Sequence, residues 1–336
     1  MDELIRKPFN EVYDLLFVIL KKYGFNDDDA EISARLFAET SRDGVYSHGL
    51  NRFPRYIEYI SKGYIQLNAK PERIASVGAV EIWDGNKGPG NVNAFHCMQR
   101  AIEIAGENGI GLVSLRNTNH WMRGGSYGWQ AADSNCIGIC FTNTKPNMPP
   151  WGGINPAIGN NPLVIAVPHQ EEHIVLDMAM SQFAYGKLEV LSSDNRKLPF
   201  PGGYNKQGKL TDDPAEILET ERILPAGYWK GSGLSIMLDL LAALLSNGLS
   251  THQIGRLDAE SRLSQVFIAI NIPKIDISGQ VLSLVDAFKQ NLKETIPVDK
   301  DQPVQYPGEK VMSIRKENLI LGIPVYKSLW TNLLNL

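Results

Sequence analysis

The chain has 336 residues, 43% of them hydrophobic and 21% charged, with a formal net charge of −4. That size and balance predict a globular protein of one large or two smaller domains, and the acidic surplus argues against a nucleic-acid partner. Three cysteines with no CxxC pair exclude a disulfide framework and a zinc site, no signal-peptide pattern follows Met1, and the apolar run 15–20 is too short to cross a bilayer. The expectation is a protein of a reducing cytoplasm, without a membrane partner or a metal.

Three helices open the chain. Residues 8–23 carry apolar side chains at helical spacing and stop at Gly24. Asn26, Asp27 and Asp28 offer caps for a second helix reaching about residue 40, with Ile32, Leu36 and Phe37 inward. A third runs from near Ser47 to Ser61. Pro54 is awkward inside it, so regular helix can begin as late as Arg52 or Phe53, leaving His48 on the entry turn. Short strands follow at 73–77 and 80–83, then a helix over 91–108 and an apolar strand over 110–115. Further strands are predicted at 136–142, where Cys136 and Cys140 read as inert packing, and at 163–168 and 174–177. The stretch 192–214 reads as a long surface loop, and 231–247 as a strongly apolar, buried helix. A strand at 264–271, a helix at 281–292 and two closing helices at 310–319 and 325–334 complete the pattern. Helices at both ends with strands between predict an α/β protein whose termini pack together.

The chemistry concentrates in four places. Val45-Tyr46-Ser47-His48-Gly49-Leu50-Asn51-Arg52-Phe53-Pro54-Arg55 sets an imidazole four residues before one guanidinium and seven before another; on a helix they would share a face. Histidine titrates near neutrality and suits proton transfer, and arginine grips a carboxylate with two prongs. An oxo acid needs both. Asn117-Thr118-Asn119-His120 directly follows a strand, where α/β proteins keep functional groups, and His120 is placed to bond a substrate hydroxyl or carbonyl. In Gly227-Tyr228-Trp229-Lys230-Gly231-Ser232-Gly233 a glycine-rich turn enters a helix, a place where backbone N–H groups and Lys230 can meet a phosphate. Asp177 ends an apolar strand, where it can orient an imidazole or cap the next turn. The turn Gly159-Asn160-Asn161-Pro162 is a further place to lie against a cofactor. Gly85, Gly88 and Gly90 do not make GxGxxG, so the Rossmann fingerprint is absent. His169 and His173 flank a polar turn and read as solvated surface, since no third metal ligand is evident.

Ser47-His48-Gly49 with Arg52, Asn119-His120, Gly159-Asn160-Asn161-Pro162, Leu176-Asp177-Met178-Ala179 and Lys230-Gly231-Ser232-Gly233-Leu234, in this order, resemble the type 2 malate/L-lactate dehydrogenase family over nearly the whole chain. The resemblance implies a non-Rossmann NAD(P)-binding fold, with a mixed sheet and helices over 67–295 and a helical domain formed by 1–66 and 296–336. It implies His48 as proton donor and a homodimer. It also implies cofactor contacts at His173, Ile174, Val175, Leu176, Asp177, Met178 and Ala179, at Trp229 and Lys230, and at Gly308, Glu309 and Lys310; the polar residues around His173 depart from the pattern. Runs around Gly44–Gly49, 120–130 and 148–152, and Met180 where many relatives carry Thr, resemble the branch that acts on a keto sugar acid. NADH is the expected cofactor, with NADPH open. Arg52 and His120 are the expected substrate contacts, His48 and Asp177 the catalytic pair. Malate, lactate, ureidoglycolate and cyclic imino acids stay open as substrates. A serine hydrolase using Ser47 or Ser181, and a sugar-acid binder without redox activity, are remote alternatives.

Overall fold

The computed structural model describes residues 2–170 and 172–336. In chain order the elements are β1 (Leu4–Lys7), α1 (Phe9–Lys22), α2 (Asp27–Arg42), two 3₁₀ turns (Tyr46–His48 and Leu50–Arg52) and α3 (Phe53–Ser61). There follow β2 (Glu72–Val77), β3 (Val80–Asp84), α4 (Gly90–Asn108), β4 (Ile110–Thr118), α5 (Gly125–Asp133), β5 (Cys136–Thr142), β6 (Leu163–Val167) and β7 (Ile174–Met178). The remainder comprises α6 (Tyr185–Ser193), β8 (Gly203–Tyr204), β9 (Leu210–Thr211), α7 (Pro214–Thr220), α8 (Trp229–Ser246), α9 (Thr251–Ile254), β10 (Leu263–Asn271), α10 (Ile272–Ile275), α11 (Val281–Lys293), α12 (Glu309–Leu321), β11 (Ile323–Tyr326) and α13 (Lys327–Leu334).

A mixed sheet runs β2-β3-β4-β10-β5-β6-β7. Only the β3–β4 pair is parallel; the other five are antiparallel. α4 and α5 cover one face through Met98, Ala101, Trp121 and Tyr127, all fully buried. The other face packs with α6, α7 and α8 around Phe141, Met180, Leu188 and Leu238. A separate core gathers Val12, Leu16, Phe37, Phe53 and Tyr56 with Ile323, Val325 and Trp330, so both chain ends share one apolar cluster. β1 pairs antiparallel with β11, Leu4 opposite Tyr326, and fastens the two ends together.

Local signals explain the boundaries. The Asn26 side chain accepts the Asp29 N–H at 3.0 Å and starts α2. Gly109 at φ +83° ends α4, and Asn247 at φ +52° ends α8. Pro54 sits in the first turn of α3, where its missing N–H costs nothing.

Four expectations are corrected. The last helix starts at Lys327, because residues 323–326 serve as the strand partner of β1. The stretch 192–214 is not all loop; it carries the β8–β9 hairpin. The helix at 231–247 begins at Trp229 and is not buried all round: Ser235, Leu238, Ala242 and Ser246 face the sheet, while Leu234, Met237, Leu240, Leu241 and Leu244 are exposed. Leu238 and the small residues make the intramolecular contact, and the other large residues named face outward. His169 and His173 are 5% and 4% exposed, not solvated: His169 Nε2 meets Asp286 at 2.7 Å and His173 Nε2 meets Asp133 at 2.9 Å. His173 Nδ1 also accepts the His169 N–H, so the polar turn folds back on its own histidines.

Candidate active site

His48 lies on the first 3₁₀ turn and Arg52 ends the second. They are therefore not on one regular helix, as Pro54 foretold. The segment is fixed from behind. Gly49 sits so close to Ser41 that a Cβ would lie 2.1 Å from its hydroxyl, and that hydroxyl accepts the Leu50 N–H at 2.8 Å. Gly44, at φ +81°, leaves room for Ile314 of α12.

Just before Gly44, Asp43, 2% exposed, collects three guanidiniums. Arg315 grips it with two prongs at 2.7 and 2.6 Å, Arg123 reaches it at 2.7 Å and Arg42 at 2.9 Å. These cations hold its carboxyl at about 2 against the desolvation that burial imposes. Arg315 also lies over the Trp129 ring at 4.4 Å. One carboxylate thus ties the end of α2 to α12 and to the loop that carries His120.

That loop is clamped independently. The Asn119 side chain, 2% exposed, donates to Lys87 O at 2.7 Å and Gly88 O at 3.0 Å. Gly90 passes so near that a Cβ would sit 2.2 Å from Asn119 O, and Gln265 donates to the same oxygen. Gly85 packs against Arg116 O and Thr118 at the end of β4, so Gly85 and Gly90 are packing residues at and beyond that strand end.

The two imidazoles meet. His48 and His120 stack with centroids 5.9 Å apart and planes 22° from parallel. The Met122 N–H donates to His120 Nδ1 at 2.9 Å, so that nitrogen is an acceptor and the proton of the neutral ring sits on Nε2. Burial, then the Arg52 and His48 charges, push His120 well below the ordinary histidine value. His120 is accordingly a neutral N–H donor at neutral pH. His48 Nδ1 lies 3.1 Å from Ser47 Oγ, which leaves Nε2 for a substrate. Burial lowers the His48 pKa most; Asp177 raises it, and Arg52 and Arg123 lower it further.

Asp177 reaches His48 through its field alone. Its Oδ2 accepts the Gly125 N–H at 2.8 Å at the start of α5, so among the described residues its hydrogen bond goes neither to an imidazole nor to the turn that follows β7. Arg52 and Arg55 line a cleft with Tyr56, Tyr59, Asn119, His120 and Glu260. Among the described residues no carboxylate comes within ion-pair distance of Arg52, whose guanidinium is pushed down by burial and by Arg55.

The expected cofactor segments converge on β7, the end strand of the sheet. The Val175 N–H donates to Pro307 O at 3.0 Å, and a Cβ on Gly308 would lie 3.1 Å from Val175 N, so 307–310 runs against 173–175. Ala226 N donates to Met180 O at 2.8 Å, which brings the Trp229–Lys230 turn to the other end of the strand. The outward Val175 N–H fixes the alternation, so the N–H and C=O of Asp177 also face the open edge. Lys230 and Lys310 are exposed. With the Val175 N–H taken by Pro307, the backbone of Asp177 is the part of this edge left without a partner strand.

Three expected contacts change character. The amides of Lys230, Gly231 and Ser232 already donate to Gly227, Ala226 and Tyr228, so the helix start offers the Lys230 ammonium rather than an amide nest. The His173 ring is turned onto Asp133, leaving only its backbone for a ligand. The Gly159–Pro162 turn is held internally, with Asn161, fully buried, bonded to Thr144 N at 3.0 Å and to Ser235 O at 2.9 Å. Asp43, Asn119, Tyr59 and Glu260 went unread as site residues. Asn119 alone had a local signal, beside His120 at a strand end.

A family model described as Malate/L-lactate dehydrogenase matches residues 8–334. The chain belongs to the malate/L-lactate dehydrogenase family. A 2,3-diketo-L-gulonate reductase of Salmonella paratyphi A is 45% identical over 334 residues, covering 98% of this chain and 99% of that protein. Malate dehydrogenase from Entamoeba histolytica superposes with a TM-score of 0.93 at 26% identity, over 99% of this chain and 97% of its own. Sulfolactate dehydrogenase from Methanocaldococcus jannaschii does so at 0.88 and 30%, over 98% and 95%. The family membership, the mixed α/β architecture and the missing Rossmann fingerprint agree with one another.

Proposed function

We propose that this protein is a nicotinamide-dependent reductase that converts 2,3-diketo-L-gulonate to 3-keto-L-gulonate, with NADH as the preferred donor. The observation that carries the reading is Arg52: a half-buried guanidinium without an acid partner among the described residues, beside two stacked imidazoles, in a chain 45% identical to a 2,3-diketo-L-gulonate reductase. A buried cation without a counter-charge is costly, and a substrate carboxylate supplies one.

In this scheme Arg52 takes the substrate carboxylate in its fork. His120 donates from Nε2 to the C2 carbonyl oxygen and stabilises the negative charge that develops there. His48, protonated, passes a proton from Nε2 to that oxygen. NADH, when bound, supplies the hydride to C2. The β7 edge, Lys230, and Gly308 with Glu309 and Lys310 hold the dinucleotide, and Asp177 adjusts the acidity of His48. The three free, buried cysteines fit a reducing cytoplasm.

The exposed stripe Leu234-Met237-Leu241-Leu244 on α8 supports a homodimer in which a second copy covers it. Among the described residues no helix is long and apolar enough to cross a membrane. Loss of NADH absorbance with 2,3-diketo-L-gulonate tests the reading; turnover confined to malate- or lactate-type acids would replace the substrate and keep the site.

A further inference from the structure

Glu260 lines the same cleft as Arg52 and Arg55. That cleft holds His120, and with Arg55 and Tyr59 Glu260 also lines a second, polar cleft of about 850 Å³ that is bordered by Lys62, Tyr64 and Asp258. The Lys145 N–H donates to Glu260 Oε1 at 3.2 Å and fixes it there. Its charge is felt by both guanidiniums, yet neither lies within ion-pair distance of it. Arg55 instead donates to the Tyr59 hydroxyl at 3.3 Å.

Opposite charges held apart in one half-buried cleft leave room for a group that satisfies both. A hydroxyl does so: it donates to a carboxylate and accepts from a guanidinium. A second carboxylate would be repelled by Glu260. A methyl or methylene chain would strip water from both charges and return nothing.

We propose that Glu260, with Arg55 and Tyr59, reads the hydroxyls on the distal carbons of the substrate and so selects a polyhydroxy keto acid over plain and dicarboxylic ones. The inference rests on the reductase reading above. The carboxylate end lies at Arg52, the reacting carbonyl at His48 and His120, and the hydroxylated tail extends toward Glu260 into the larger cleft. A site built to bond a hydroxyl discriminates strongly against analogues lacking it, because its polar groups are then left unpaired.

The test measures kcat/KM for 2,3-diketo-L-gulonate, 2-ketohexanoate and oxaloacetate with wild type, Glu260→Ala and Glu260→Gln. In Glu260→Ala the preference for the hydroxylated acid over 2-ketohexanoate should fall about 10–100-fold, the range for one charged hydrogen bond. Oxaloacetate should gain relative to the diketo acid. Glu260→Gln, which keeps an acceptor and loses the charge, should fall in between on the first ratio and match Ala on the second. A parallel loss on all three substrates would make Glu260 a structural residue, and unchanged ratios would remove it from the substrate; either overturns the inference and leaves the reductase reading standing. Wild type inactive on the diketo acid but active on 2-ketohexanoate would overturn both.

Discussion

Asp43→Asn tests the architecture behind the site. Asp43 is 2% exposed and joins Arg42, Arg123 and Arg315, of which Arg123 has a side chain only 4% exposed. Removing the charge strands Arg123 in the interior, and breaking a buried pair this way costs about 3–5 kcal/mol. The lowered pKa of the Asp43 carboxyl accounts for a smaller part of that loss. The carboxyl is held at about 2 against an ordinary 3.8, which corresponds to roughly 2 kcal/mol of folded-state stabilisation of the ionised form. Because the folded value is depressed, that contribution is complete above the ordinary carboxylate value and is lost as pH falls through about 2. Urea unfolding at fixed protein concentration, at pH 7 and at steps down toward pH 3, reads both effects. The variant should lose about 3–5 kcal/mol at pH 7 and show a flatter decline in acid than wild type. A loss below about 1 kcal/mol, or an unaltered acid decline, would mean the cluster does not hold the α2 end to α12 and the His120 loop.

Arg52→Lys keeps the charge and loses the fork, so KM for the keto acid should rise about 10-fold or more while NADH affinity holds; an unchanged KM removes Arg52 from the substrate. The pH profile of reduction follows from His48, which must be protonated to act: kcat/KM should fall as pH rises through a value below the ordinary histidine pKa. Asp177→Asn removes the charge that raises His48, so this fall should move to lower pH; movement upward would contradict the electrostatics. Lys230→Ala should weaken NADH binding, followed by protein fluorescence, more than it slows turnover at saturating NADH, and unaltered affinity would take Lys230 off the phosphates.

Much of the fold was legible because its signals are local. The strand Cys136–Thr142 has the predicted bounds, and Pro54 marked where α3 becomes regular. His48, Arg52 and His120 stand out by residue type near turns and a strand end, and the fold brings the two imidazoles together and lines one cleft with His120 and Arg52. What stayed hidden is long-range. β1 pairs with β11 across more than 300 residues, and Asp43 meets Arg123 and Arg315 at separations of 80 and 272; no spacing rule reaches that far. The α8 exposure was misread because an all-apolar helix looks the same whether its outer face meets its own chain or another. His169 and His173 looked solvated because the aspartates that bury and bond them lie 117 and 40 positions away.

NADH consumption with 2,3-diketo-L-gulonate, wild type beside His48→Ala, tests the reduction and its proton donor together. Wild type should turn over the diketo acid, and the variant should lose about 10²–10⁴ in rate while binding NADH as before. Near-wild-type turnover by the variant would displace His48 as the acid, and no oxidation of NADH or NADPH by wild type with any keto acid would contradict the reductase itself.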